Sequence, residues 1–120
     1  EIVYKTYAGK KGDSPKRLRL GVVRPKAENP AAKRPLVIGV HSGGFLDICL
    51  RTPCFVRYSE NVLEPFFVSR GFVTASVEYR LNSLLDLRLP RVKDETLVEA
   101  HYKATQDLRD ALRYVFANAD

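Results

Sequence analysis

The sequence predicts a single α/β domain: a mixed, mostly parallel sheet that opens with an antiparallel hairpin and carries flanking helices. Three observations predict it. Two segments near the start alternate polar and apolar residues, as half-buried strands do. Two short runs rich in β-branched residues, Leu36–Val40 and Phe72–Tyr79, follow and are bounded by glycine or proline. The chain closes on apolar residues at steps of three and four, the period of an amphipathic helix. A hairpin followed by strand–helix–strand–helix implies a mixed sheet with right-handed crossovers.

Each element has its own signal. Glu1–Tyr7 sets Ile2, Tyr4 and Thr6 against Val3, Lys5 and Tyr7, which reads as an edge strand. Gly9–Pro15 holds Gly, Asp, Ser and Pro and is a turn. Lys16–Arg24 puts Leu18, Leu20 and Val22 on one face and Arg17 and Arg19 on the other, and Pro25 stops it. After the solvated loop 26–34, Leu36–Val40 reads as the central strand, buried on both faces. Residues 46–55 have no clean period and read as an ordered loop. Ser59 is placed to cap a helix over 61–70, which Pro65 shortens or kinks and Gly71 ends. Residues 82–97 mix Leu with charges and Pro90, an irregular surface excursion. The final helix aligns Ala100, Ala104, Leu108, Ala111, Leu112, Val115 and Ala119 on its buried face. Lys103 and Asp107 are spaced as an i,i+4 pair on its flank.

Composition narrows the classes. The chain has 120 residues, enough for one small domain with its own core. Its formal charge of +6 comes from twenty basic and fourteen acidic residues scattered along the chain. The basic residues are not interleaved with aromatics, so the reading is a solvated basic edge and no nucleic-acid partner. The longest apolar run is far too short to span a bilayer. The chain starts at Glu1 and contains no Met, so it reads as a processed chain or a fragment, and its compartment stays open. Cys49 and Cys54 are too far apart for a C-x-x-C motif and have no His cluster for a metal. They read as two partly buried free thiols, with a local disulfide in an exported protein as the alternative. No residue pattern calls for a cofactor or a metal.

One stretch suggests chemistry. The strand Leu36–Val40 runs directly into His41, Ser42, Gly43 and Gly44. Two successive glycines after a strand free the backbone and let a ligand approach it closely. Their N–H groups can then point at an anion or a polarised carbonyl oxygen. Gly39, Gly43 and Gly44 do not make the G-x-G-x-x-G of a dinucleotide site.

The strand ending H-S-G-G-F resembles the H-G-G-G-F oxyanion loop of α/β-hydrolase esterases and lipases of the carboxylesterase and hormone-sensitive-lipase-like groups. R-G-F-V-T-A-S-V-E-Y-R-L, residues 70–81, is similar to the strand that follows in these enzymes. A-T-Q-D-L-R-D-A-L-R-Y-V-F-A-N-A, residues 104–119, resembles the helix before their nucleophile strand. The resemblance covers nearly the whole chain. It implies that residues 1–120 are the N-terminal portion of a single α/β-hydrolase domain. It implies hydrolysis of a small-molecule carboxylic ester by acyl-enzyme chemistry in a longer parent, and no cofactor.

Residue by residue, the resemblance gives Gly43 and Gly44 the role of oxyanion donors. His41 takes the role of the loop histidine, which holds the loop in shape and is not the triad base. Ser42 stands where the motif has its first glycine. Phe45 and Tyr79 are candidates to line the substrate. The family's nucleophile lies in G-x-S-x-G, which does not occur in this sequence, so no triad member is expected within it. The 120 residues alone are then expected to be inactive, and a half sheet is expected to self-associate through its exposed edge. Two alternatives stand beside this reading. Ser42 could itself be the nucleophile, with Asp86 or Asp94 and then His101 following in triad order. The chain could also be a non-catalytic, hydrolase-like binding module.

Overall fold

A computed structural model describes residues 1–9, 14–26, 33–43, 49, 52–81 and 94–118. The alternating segments form a hairpin. β1 (Ile2–Tyr7) pairs antiparallel with β2 (Lys16–Val23), Tyr7 opposite Lys16 and Ile2 opposite Leu20, with a register shift between Val3 and Lys5. β3 (Leu36–Val40) pairs parallel with β4 (Val73–Val77), so their carboxyl ends lie on the same side. β4 also pairs antiparallel with β2, giving one mixed sheet in the order β1-β2-β4-β3.

Two expectations about this sheet need correcting. It is mixed, but among the described strands only the β3–β4 pairing is parallel, so it is not mostly parallel. β2 runs against β4, which seats Leu20 opposite Val77 and Val22 opposite Ala75. The strand buried on both faces is β4, not β3. Thr74, Ala75, Ser76 and Val77 are all buried, whereas β3 lies at an edge of the described sheet with Leu36 39% and Val40 42% exposed. An apolar run is equally compatible with an interior or an edge position. The small residues of β4 decide the matter, because both of its faces are packed by helices.

The helical run between β3 and β4 covers one of those faces. It begins earlier than the capping signal suggests, with α1 at Cys54–Tyr58 following Pro53. Ser59 is therefore not a cap. It starts a π-helical turn, Ser59–Leu63, where its hydroxyl donates to Glu64 Oε1 at 3.2 Å. α2 (Glu64–Phe66) carries Pro65 in its first turn, where a missing N–H is harmless. The wide turn just before it accommodates the change of pitch. A 3₁₀ turn over Val68–Arg70 then ends on Gly71 at φ +89°, the left-handed stop the sequence predicts. Gly39 lets this layer approach the sheet. A Cβ there would lie 2.7 Å from both Leu63 Cδ1 and Tyr58 Cε1.

Cys49 and Cys54 form a disulfide, which replaces the expected free thiols. The five-residue separation that rules out C-x-x-C still leaves their Cα atoms 5.3 Å apart, within the span a disulfide bridges, with Cys54 opening α1.

The other face is covered by α3 (Asp94–Ala117). It starts within the segment expected to be irregular, so only residues 82–93 of that segment lie outside the described residues. Ala100, Ala104 and Ala111 are buried on the sheet side as expected. Leu112 is not, being 40% exposed. Ala111 meets Leu20 and Val77 in the core, with Tyr4, Val22, Ile38, Leu108, Tyr114 and Val115 packed around them. The sheet is thus sandwiched between α3 and the α1–α2 layer, an α/β arrangement. Among the described residues no helix is long and apolar enough to cross a membrane.

Candidate functional site

The carboxyl ends of β3 and β4 lie side by side, because Val40 pairs with Val77. In an open α/β sheet this end is where ligands bind. His41, Ser42 and Gly43 leave β3 here, and Glu78, Tyr79 and Arg80 leave β4 beside them.

His41 is buried, and its ring stacks on Tyr79 with centroids 4.6 Å apart and planes 19° from parallel. Its Nδ1 lies 2.9 Å from the Ser42 carbonyl oxygen. A carbonyl can only accept, so this contact places the ring proton on Nδ1. Tyr79 is also buried, and its hydroxyl donates to the His41 carbonyl oxygen at 2.8 Å. Burial pushes the Tyr79 phenol above its ordinary range, so it remains a donor. The Tyr79 hydroxyl and the His41 ring thus each bind a carbonyl at the start of the loop.

Gly43 follows with φ 141°, a conformation that side chains rarely adopt and glycine takes freely. Gly44 and Phe45, named from the sequence as second oxyanion donor and substrate contact, lie outside the described residues. So does Asp86, and nothing is described of the Asp94 side chain at the start of α3.

Tyr79 is held through its neighbour. Asp107 of α3 is fully buried, not paired on the helix flank. Its Oδ2 accepts from the Arg80 backbone N–H at 3.0 Å and from Arg80 Nε at 2.7 Å. Its Oδ1 accepts from Arg80 Nη2 at 2.9 Å and from Lys5 Nζ at 2.8 Å. Lys103, its expected partner, instead pairs with Glu99 one turn earlier. The Arg80 guanidinium also lies 5.4 Å over the Tyr7 ring. One carboxylate therefore joins β1, the end of β4 and α3, and fixes how the chain leaves β4 next to Tyr79. Glu78 continues the stitching on the β2 side, where Oε2 accepts from the Arg19 N–H at 3.0 Å and the carbonyl from the Tyr4 hydroxyl at 2.6 Å.

Between the loop and α3 lies an open cleft of about 300 Å³. Ser42, Gly43 and Tyr79 line it from the sheet side. From α3 come His101, Ala104, Thr105 and Leu108, of which the sequence reading had singled out only His101. Ala104 and Leu108 were expected on the helix's buried face and Thr105 carried no expectation, since a helical period cannot tell a packed neighbour from a cleft. The structure thus brings Ser42 and His101 to one cleft. Among the described residues no group of three or more His, Cys, Asp and Glu is placed to hold a metal ion.

Two expected outcomes follow from the Tyr79 hydrogen bond and the charge cluster beside it. Tyr79→Phe keeps the stacking and deletes the hydroxyl. It is expected to lower stability by about 1 kcal/mol and to speed hydrogen exchange at the Ser42 and Gly43 amides. Unchanged exchange there would show that the hydroxyl does not hold the loop.

The second concerns pH. The hydrogen bond from Lys5 holds the Asp110 carboxyl below its ordinary value of 3.8. That contribution is present above the ordinary value and is lost as pH falls through the lowered one. Burial alone would lower Lys5, but hydrogen bonds to Asp107 and Asp110 outweigh it and hold the ammonium above its ordinary 10.5. Its contribution is present below that value and is lost as pH rises through the raised one. Thermal melts are expected to place both losses outside roughly pH 4 to 10.5, and Lys5→Met to remove both limbs. A loss from this cluster near neutral pH would contradict the assignment.

Compared with protein-family models, curated proteins and solved structures, the chain matches none.

Proposed function

We propose that this chain supplies the oxyanion side of a serine hydrolase that cleaves carboxylic esters, and that its sheet is the first part of an α/β-hydrolase fold. One observation carries the reading. Gly43 sits, at a φ suited to glycine, in the loop between the third strand and the first helix, opening onto a cleft. In α/β-hydrolases it is this loop that lends an N–H to the oxyanion. The buried His41, held by Tyr79, acts as the loop's support and not as a base. The nucleophile, acid and catalytic histidine come from sequence following these residues, since G-x-S-x-G is absent from them. A backbone donor lowers the barrier by stabilising the tetrahedral intermediate, on the order of 3 kcal/mol for one donor.

The natural polypeptide carrying this chain is expected to hydrolyse p-nitrophenyl butyrate, and Ser42→Ala to leave that activity unchanged. Loss of activity in Ser42→Ala would transfer the nucleophile to Ser42, which shares the cleft with His101. No hydrolysis by the folded natural polypeptide would favour the binding-module reading instead.

The same reading makes β3 an open edge in the chain on its own. Residues 1–120 alone are expected to be inactive and to self-associate along Leu36–Val40, seen as a concentration-dependent mass in sedimentation. A clean monomer with a cooperative melt would contradict it.

A further inference from the structure

The α3 side of the cleft is a wall with a defined chemistry. His101, Ala104, Thr105 and Leu108 recur at steps of three and four, so a single helix face forms it. Ala104 is only 2% exposed yet lines the cleft, because its side chain stops at one methyl group. Leu108 beside it reaches into the core, and Val40 closes the opposite side.

Among the described residues that line it there is no Lys, Arg, Asp or Glu, and most of the lining they present is apolar. The nearby cations Arg80 and Lys5 both point into Asp107. An anion entering the cleft would leave water without a counter-ion among these described lining residues, which is strongly unfavourable. An uncharged apolar group instead gains roughly 25 cal/mol per Å² of surface removed from water. At about 300 Å³, the cleft is small for a ligand site, at the low end of the roughly 300–1,000 Å³ range.

We propose that this face of α3 seats the short, uncharged apolar group of the ester whose carbonyl meets Gly43, and that Ala104 sets the length it accepts. The word ester rests on the function proposed above, whereas the apolar seat rests on the cleft alone.

The test is an amide NMR titration of the full protein with ethyl butyrate, with sodium butyrate as the charged comparison. Ethyl butyrate is expected to shift the Gly43, Ala104 and Leu108 amides, and sodium butyrate is not. Ala104→Leu fills the seat from its floor and is expected to weaken the ester by about tenfold or more. Thr105→Phe blocks it from an exposed position on the rim, where folding is not at risk, and is expected to do the same. Equal affinity in Thr105→Phe, or tighter binding of butyrate anion than of the ester, would overturn the proposal. Binding at these amides without any hydrolysis would uphold the seat and reject the esterase reading. Hydrolysis with the shifts lying elsewhere would do the reverse.

Discussion

Replacing Asp107 with Ala is expected to lower the stability of the fold by about 3–5 kcal/mol, the usual result of removing one partner from a buried ion pair. The carboxylate is fully buried and accepts from the backbone and guanidinium of Arg80 and from the ammonium of Lys5. Without it, two half-buried cations face each other with no anion between them. Asp110 still pairs with Lys5, but it is more exposed and does not reach the Arg80 backbone. Asp107→Asn keeps the shape and loses the charge, so a smaller loss is expected. Denaturant melts of the three proteins at matched pH measure both. The damage is expected to travel to the site, because Arg80 follows Tyr79, and Tyr79 holds His41. A loss below about 1 kcal/mol for Asp107→Ala would show the cluster to be a surface-type ion pair.

Gly43→Ala is expected to reduce kcat for ester hydrolysis in the natural polypeptide by about 10²-fold, with little change in KM. A Cβ does not suit φ 141°, so the loop must rearrange and its N–H turn away from the oxyanion. In the role proposed for Gly43, its N–H acts on the transition state more than on the bound ester, which puts the expected effect in kcat. The fold should survive, since the residue follows β3 and takes no part in its ladder. An equal rise in KM with kcat unchanged would mean that Gly43 only binds substrate.

Much of the fold was legible in local pattern. Alternation gave β1 and β2 nearly to the residue, and the β-branched runs gave β3 and β4. The steps of three and four gave α3 from Ala100 onward. What local pattern could not show was long-range. The exposure of β3 depends on which strands flank it, and nothing in Leu36–Val40 encodes that. The helix beginning at Cys54 hides behind Pro53, Cys and aromatics, a mixture with no helical period. Asp107 was legible as a charged helix residue but not as a buried one. Its burial needs Arg80 and Lys5, 27 and 102 positions away.

At the site, the glycine loop and His41 stood out because residue type and local backbone carry their meaning. The Tyr79 hydrogen bond and the α3 wall did not. They exist only once β4 and α3 have been brought to the end of β3.

On the function proposed above, the loop after β3 serves a nucleophile that lies elsewhere in the polypeptide. Labelling the natural polypeptide with a fluorophosphonate, followed by peptide mapping, tests it most directly. One modified serine is expected, within a G-x-S-x-G and outside these 120 residues. An adduct on Ser42, or a folded polypeptide that takes up no label, would contradict it.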